Sequence, residues 1–592
     1  MRRLAAIVAC VLCLGTLFPD IARNEVVKTF DTMLHAHIEH SELTPKLYKR
    51  ALHLFIDQID SYHTLFLEEE IEHLVSLSNE QVSEGIDRFH AGEFPHFNAI
   101  YKEYLEAYNR RQELISKASL TPNCSELSFH IPRTLKELKA RIQEFLKRKM
   151  AQEIEKVAYD PADADKLSSY VIEKEFSPIP YGFHEIVLKS CAKSLDPHSA
   201  YFTEGEASRL KARYQKELFG TGVEVQETYL GQKVVSLHPD CLAAQKKLLQ
   251  RGDAVLAVEE SAKQITYSVQ RNGKLQEITL QKEELLHHDE RVTYSTHPFG
   301  DGVIATITIP SMYGNGSGPD CVTDVKNALH EIRKTKEIKG MVIDIRDNSG
   351  GFVLQAIKLA GLFIAKGVVL VSRYSDGDVQ YARDYTGELA YAGPLVVLTS
   401  KLTASAAEIF AQALQEYGVA LVAGDKRTYG KATMQYQNIT AKDAKSYFKV
   451  TIGKYYTASG RSIQLEGVKS DIVMHTDCAP YEIGERYLNF PITSDCLDGT
   501  HIDTLSALHG GHFPKHPDEA VPHLSPRITE WSKMKLPLMH NSSKRMAANK
   551  NYHLFKEYIY KGAKKKFGKS DVHIAEGIAL VQDMFFLKTL AQ

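Results

Sequence analysis

A serine and a lysine stand where side chains can perform nucleophilic chemistry, and the serine comes first. Ser405 follows the apolar strand pattern of residues 395–398 and precedes the helix pattern of residues 406–417. A hydroxyl at a helix N-terminus lies beside unpaired main-chain N–H groups and the positive end of the helix dipole, and both favour developing negative charge. The same position is also typical of a serine that only caps a helix. The serine alone therefore does not identify a nucleophile.

Lys431 supplies the second signal. It follows the apolar strand pattern of residues 420–423, and its immediate neighbours are Gly430 and Ala432. Poor solvation lowers the pKa of a lysine, so a neutral amine is available as a general base. In a serine–lysine pair such an amine takes the hydroxyl proton and returns it to the leaving group.

A third signal is the glycine pair Gly350-Gly351, which separates the strand pattern of residues 341–345 from a helix pattern that begins at Val353. Glycines in such a turn let main-chain N–H groups approach a bound group closely. A phosphate-binding loop is the rival interpretation, but the patterns GxGxxG and GxxxxGK[ST] are missing here. A nucleotide-using α/β enzyme is therefore not favoured.

In combination, these motifs resemble the carboxy-terminal processing proteases, specifically the bacterial tail-specific proteases. The resemblance rests on Gly350-Gly351, the stretch TASAAEIFAQALQEYG from Thr403, and the pattern Gly430-Lys431-x-x-x-Gln435. Two motifs depart from the family: its SASASE is here TASAAE, and its Gly-Lys-Gly is here Gly-Lys-Ala. Both departures retain the serine and the lysine.

The resemblance implies a role for each site residue. Ser405 would be the nucleophile, Lys431 the base, and Gln435 the residue that orients the lysine amine. The main-chain N–H groups of Gly351 and Ala406 would form the oxyanion hole. The family implies a ClpP/crotonase-like α/β core and no metal or other cofactor.

The pattern of apolar, turn-forming and charged residues changes along the chain and predicts a multidomain α/β protein. We expect a signal peptide at 1–23, a helical N-terminal domain at 24–205, a reduced PDZ-like domain at 218–284, a serine protease core at 285–480, a linker at 481–523 and a helical, basic C-terminal region at 524–592. The signal consists of two arginines and a 15-residue apolar run, too short to span a bilayer. A buried N-terminal helix and lipidation at Cys10 are the alternatives.

The helical domain contains two similar segments, IDSYHTLFL at 59–67 and LDPHSAYF at 195–202. Their shared aspartate, histidine and aromatic residue could perform chemistry. Aspartates in loops are more often helix caps or turn acceptors, and we expect that role here.

The β domain opens with a loop that resembles the carboxylate-binding loop of PDZ domains. Its residues are Phe219, Gly220, Thr221, Gly222 and Val223. A PDZ domain holds its peptide between a strand edge and a helix. The chain leaves no room for that helix between Val258 and Ile265. We therefore expect the domain to gate the protease more than it captures C-termini.

Composition limits the partners. Charged residues make up 25% of the 592 residues and the formal net charge is −2, so no net field favours nucleic acid. We expect protein or peptide substrates, with membrane proximity only through an uncleaved signal, and leave the oligomeric state open. The six cysteines beyond the signal show no CxxC spacing, although Cys478 and Cys496 could pair in an oxidising compartment. Metal ligation by His501, His509, His512, His516 and His523 fits no standard spacing.

The sequence thus predicts an exported, periplasmic serine endopeptidase that cleaves unfolded or C-terminally tagged proteins. The alternative is a peptide-binding protein in which the protease fold has become an inactive scaffold. Ser405, Lys431 and Gln435 are all present, which favours the enzyme.

Overall fold

The computed structural model describes residues 20–116, 130–156, 160–216, 220–238, 241–261, 263–282, 291–314, 319–364, 367–384, 388–439, 446–497, 530–562 and 571–591. The predicted signal peptide, except its last four residues, therefore lies outside the described residues. The chain divides into two compact units. The first comprises residues 1–286 and 436–450, and the second comprises residues 287–435 and 451–592.

The first unit begins with helices. They are α1 (Arg23–Ala36), α2 (Pro45–Ile59), α3 (Glu68–Val75), α4 (Asn79–His90), α5 (Pro95–Ser116), α6 (Leu135–Lys156), α7 (Ala164–Phe176), α8 (Phe183–Leu195) and α9 (Glu204–Lys216). Local sequence sets their starts: at α2 the Thr44 hydroxyl accepts from the Leu47 N–H, and proline occupies the first turn. The apolar faces are buried, as at Ile142 and Phe145 of α6.

The two aspartate segments of this region organise loops, as expected. The buried Asp60 carboxylate accepts hydrogen bonds from the N–H groups of residues 64, 65 and 66. Asp196 accepts from the N–H groups of His198 and Ser199 and lies 3.1 Å from Nε2 of His37. These bonds satisfy main-chain donors that the turns leave unpaired.

The predicted helical domain also contains a strand. Residues Ala200–Phe202 form a short strand, β1, which pairs antiparallel with Tyr447–Lys449. The partner residues are far away in the chain, so local periodicity carried no sign of the pairing.

The β domain of the first unit is a five-stranded antiparallel sheet. Its strands follow one another in the order β2 (Val223–Thr228), β3 (Gly231–Leu237), β4 (Ala254–Glu260), β5 (Gln264–Arg271) and β6 (Lys274–Gln281). A single helical turn, α10 (Leu242–Gln245), lies between β3 and β4. Only three residues join β4 to β5, and Glu260 pairs directly with Ile265. The predicted lack of a helix between Val258 and Ile265 is confirmed.

A six-stranded sheet forms the centre of the second unit. Its strands are β7 (Thr293–Phe299), β8 (Gly302–Thr308), β9 (Ile338–Asp344), β12 (Leu395–Thr399), β13 (Leu421–Gly424) and β16 (Ile472–Val473). The spatial order is β16-β13-β12-β9-β8-β7. All neighbours are parallel except β7 and β8. Most central strand residues are buried, as expected for a parallel sheet covered on both faces.

Helices cover both faces of this sheet. One face packs against α11 (Cys321–Thr335), α12 (Val353–Ile364) and α13 (Ala406–Glu416). The other packs against the C-terminal helices α14 (Glu530–Lys533), α15 (Lys535–Ala548), α16 (Lys550–Lys561) and α17 (Val572–Ala591). Along β9, Ile343 contributes to the first layer and Val342 to the second, the alternation that a strand imposes.

A second group of strands also contributes to this unit. They are β10 (Gly367–Tyr374) and β11 (Val379–Asp384), and β10 also pairs antiparallel with residues 453–457 of β15 (Tyr447–Thr457). β14 (Thr433–Gln437) pairs with β15 as well.

The predicted linker is wrong for its first part. Residues 481–497 are part of the second unit. Glu485 and Ile492 are buried, and both accept hydrogen bonds from the amide of Gln464. Residues 498–523, with their five histidines, and the lysine run 564–566 lie outside the described residues. Within the described ranges, no helix is both long enough and apolar enough to cross a membrane.

Candidate active site

The carboxyl ends of the parallel strands bring three loops together. β9 and β12 pair in register up to Asp344 and Leu398, and β12 and β13 pair up to Thr399 and Gly424. The loops that follow these strands carry the glycine pair, Ser405 and Lys431. Sites in open parallel sheets lie at this edge.

Ser405 occupies a strained strand-to-helix turn. Its backbone angles are φ 54° and ψ −118°, and α13 begins at the next residue. A non-glycine residue rarely adopts a positive φ, and such strain is concentrated at functional sites. A sharp strand-to-helix turn also holds the nucleophilic serine of α/β-hydrolases.

The glycine pair lies against this turn. A Cβ atom added to Gly350 would lie 3.0 Å from the Cβ of Ser405 and 3.2 Å from the nitrogen of Ala406, and φ is 111°. A side chain at Gly350 would therefore displace the turn that carries Ser405.

The N–H groups of Gly351 and Ala406 are both available. The carbonyl of Gly350 accepts from Met312, and Phe352 donates to the Met312 carbonyl, so the N–H of the intervening Gly351 faces away from Met312. Ala406 is the first residue of α13 and has no intrahelical acceptor. Among the described residues, neither N–H has a hydrogen-bond partner.

The amine of Lys431 is held by two oxygen atoms. Nζ lies 3.0 Å from the carbonyl oxygen of Thr433 and 3.1 Å from Oε1 of Gln435. The amide nitrogen of Gln435 donates to the hydroxyls of Thr433 and Thr451, at 3.0 and 3.3 Å. A lysine ammonium can only donate, so the amide atom of Gln435 that faces it is the oxygen, and the amide nitrogen is directed to the two hydroxyls.

Glu408 is a site residue that the sequence analysis missed. Its side chain is fully buried and accepts hydrogen bonds from the N–H groups of Ser405, Gly430 and Lys431 and from the hydroxyl of Thr428. Burial raises the pKa of Glu408 to about 7, although the four donors oppose the rise. A glutamate three residues after a helix N-cap is a recognisable sequence signal, because it can complete a capping box. The bonds to residues 428–431 have no such signal.

The other predicted binding residues lie in the first unit. The Thr221 hydroxyl lies 2.7 Å from the hydroxyl of Tyr267, and a Cβ atom added to Gly222 would lie 2.5 Å from the Cβ of Cys241. Phe219 lies outside the described residues. Cys478 and Cys496, which could have paired, are free thiols. The described part of the chain shows no group of three potential metal ligands.

Comparison with known proteins gives the class of this site. Residues 303–474 match the model of peptidase family S41, and residues 29–205 match the tail specific protease N-terminal domain. The first range contains the glycine pair, Ser405, Lys431 and Gln435. This chain therefore carries a peptidase family S41 domain and is a serine-type peptidase.

Curated relatives agree with this assignment. The tail-specific protease of Haemophilus influenzae is 24% identical over 526 residues, which cover 78% of this chain and 74% of that protein. The carboxy-terminal-processing protease of Bartonella bacilliformis is 28% identical over 323 residues, which cover 51% of this chain and 70% of that protein. A solved structure titled photosystem II D1 C-terminal processing protease is 21% identical and covers 56% of this chain and 92% of that one. Its TM-score of 0.33 is too low to define a shared fold.

Proposed function

We propose that this protein is an exported, periplasmic endopeptidase of the tail-specific type, in which Ser405 is the nucleophile, Lys431 the base and Gln435 the residue that orients the base. One observation carries the proposal: the Lys431 amine is fixed by Gln435 and Thr433, while Glu408 bonds the main chains of Ser405 and Lys431 together. The names of the curated relatives support the tail-specific type.

The two contacts of the amine suit a general base. A neutral amine has two N–H bonds and one lone pair. If its N–H bonds point to the Thr433 carbonyl and to Oε1 of Gln435, the lone pair is left to accept the Ser405 proton. Gln435 thus sets the direction of the lone pair without taking part in proton transfer.

The acylation step follows. Lys431 takes the hydroxyl proton, and Oγ of Ser405 forms a bond to the carbonyl carbon of the scissile peptide. The N–H groups of Gly351 and Ala406 bind the resulting oxyanion. The lysine ammonium then gives its proton to the leaving nitrogen, the C–N bond breaks, and an acyl-enzyme remains.

Deacylation repeats these roles. Lys431 takes a proton from water, whose oxygen attacks the ester carbonyl. The proton returns to Oγ of Ser405 as the ester bond breaks, and the product leaves with a new carboxyl terminus. No metal or nucleotide takes part.

We assign unfolded or C-terminally tagged proteins as the substrate class, with the protease core as ClpP/crotonase-like and the β domain as a reduced PDZ-like module. Without a helix between β4 and β5, this module lacks one wall of the usual peptide groove. The loop 220–223 alone offers few apolar contacts to a tail. An inactive scaffold is the less favoured alternative, since it has no need of a fixed lysine amine beside a strained serine.

The test compares one protein substrate in two states. Purified enzyme is incubated with a native globular protein and with the same protein after reduction and alkylation, and the fragments are identified by mass spectrometry. We expect internal cleavage of the unfolded form only, and none by Ser405→Ala. Equal cleavage by Ser405→Ala would refute the nucleophile, and equal cleavage of the native form would refute the substrate class.

A further inference from the structure

Tyr455 of β15 lies beneath the proposed catalytic pair. Its side chain is almost fully buried, and its hydroxyl donates a hydrogen bond to the main-chain carbonyl of Lys431. Its N–H donates to the carbonyl of Ala432 at 3.0 Å. The tyrosine is therefore fixed to the lysine loop by both its main chain and its side chain.

The hydroxyl hydrogen of Tyr455 is used on the carbonyl of Lys431, which can only accept. Burial raises the pKa of Tyr455 well above its ordinary value, so the phenol keeps its hydrogen at neutral pH.

These contacts fix the main chain around Lys431. Glu408 bonds the N–H groups of Ser405 and Lys431, and Tyr455 bonds the carbonyl of Lys431. The peptide groups on both sides of Lys431 are thereby held, one by a carboxylate and one by a phenol.

We propose that Tyr455 is a positioning residue for peptide hydrolysis, whose hydroxyl holds the main chain of Lys431 and thereby fixes the loop that carries the proposed base. This inference rests on the proposed serine–lysine pair. Neither the family match nor the motifs in the sequence assign a role to this tyrosine.

The neighbouring tyrosine provides a matched control. Tyr456 is also buried on β15, but its hydroxyl lies 2.9 Å from the carboxylate of Asp495. Successive residues of a strand point to opposite faces, so Tyr456 packs with Val368 and Val371 instead of the site. Tyr455→Phe and Tyr456→Phe each remove one oxygen atom from a buried ring.

The experiment compares the wild type, both variants and Ser405→Ala. Steady-state kinetics with a quenched fluorescent peptide give kcat and KM. A fluorophosphonate probe gives a second measurement: the serine oxygen bonds to phosphorus, fluoride leaves, and the base takes the proton. The rate of labelling reports the reactivity of the serine, and the final extent counts the competent molecules.

For Tyr455→Phe we expect kcat per labelled molecule to fall about tenfold to hundredfold, with a KM near that of the wild type. The rate of labelling should fall by a similar factor, while Tyr456→Phe should change neither. If part of a variant preparation is misfolded, the comparison remains valid, because both rates are expressed per labelled, competent molecule.

Two results would overturn the inference. One is a wild-type kcat and labelling rate in Tyr455→Phe. The other is a loss confined to the extent of labelling, which would mean that the hydroxyl only stabilises the fold. Hydrolysis by Ser405→Ala would refute the proposed function itself, whatever the tyrosine variants show.

Discussion

Oε2 of Glu408 lies 3.0 Å from the main-chain nitrogen of Lys431. The same oxygen accepts the N–H of Ser405 at 2.8 Å. One buried atom is therefore bonded to the main chains of both proposed catalytic residues, so a shift of either loop breaks a hydrogen bond to a fully buried carboxylate.

Glu408→Gln should reduce kcat/KM at least tenfold. The amide has one acceptor oxygen and one donor nitrogen, so it can replace only one of the two carboxylate oxygens, each of which accepts from two donors. Either the N–H groups of Ser405 and Lys431, or the N–H of Gly430 and the hydroxyl of Thr428, would lose their acceptor, at a cost of about 1–3 kcal/mol for each unsatisfied group. Steady-state kinetics provide the measurement.

Glu416→Gln is the control for this substitution, because Glu416 is a largely buried carboxylate at the other end of α13 that accepts from Ser459, Thr457 and Arg461. It should change kcat/KM much less. An equal loss in both variants would mean that Glu408 stabilises the helix without positioning the site.

The pH dependence of stability should carry the signature of Glu408. Its pKa is raised from about 4.5 in the unfolded chain to about 7 in the fold, so between these values the native state holds a proton that the unfolded state lacks. The free energy of unfolding must then fall as pH rises through this range. The fall amounts to about 3 kcal/mol for such a shift.

Chemical denaturation at pH 5 and pH 8 isolates this contribution when the wild type is compared with Glu408→Gln, since other groups cancel in the difference. The stability of the wild type relative to the variant should be greater at pH 5. A difference that is constant, or that grows with pH, would contradict the raised pKa.

Activity should depend on pH in the opposite sense. Only a neutral Lys431 amine can accept the Ser405 proton, and only an ionised Glu408 can accept from all four of its donors. Both requirements are met better as pH rises. We expect kcat/KM on a peptide with rate-limiting chemistry to increase from mildly acidic to alkaline pH, and a flat profile would argue against Lys431 as the base.

Gln435→Ala should lower kcat less than the loss of Ser405 or Lys431. The orienting side chain contributes a hydrogen bond to the amine, and its removal should cost about 1–3 kcal/mol, or about tenfold to hundredfold in rate. Gln437→Ala, an exposed glutamine two residues further along β14, is the matched control. Turnover of Gln435→Ala equal to that of the control would leave Gln435 as a strand residue only.

The β domain should contribute little to recognition of a free C-terminus. A peptide groove needs a helix beside a strand edge, and β4 passes into β5 without one. Peptides with free and amidated C-termini should therefore be hydrolysed with similar kcat/KM. A strong preference for the free carboxylate that disappears when residues 218–284 are replaced by a flexible linker would restore tail capture.

The sequence predicts those parts of the site that depend on local pattern. Ser405 lies where an apolar strand pattern changes to a helix pattern, and the glycine pair lies at a similar change, so both positions were readable. The bonds of Glu408 and Tyr455 to the lysine loop were not, because these partners are 20 or more residues away and only folding brings them together. β1 was missed for the same reason, since its partner residues 447–449 are distant in sequence.

The most direct test of the central claim is peptide hydrolysis by Ser405→Ala and Lys431→Ala, each with its fold verified by thermal unfolding, in the presence and absence of a chelator. A nucleophile and its base act as one unit, so each substitution should abolish hydrolysis about as completely as the two together, and the chelator should leave the wild type unchanged. Hydrolysis near the wild-type rate in either folded variant would contradict the serine–lysine mechanism.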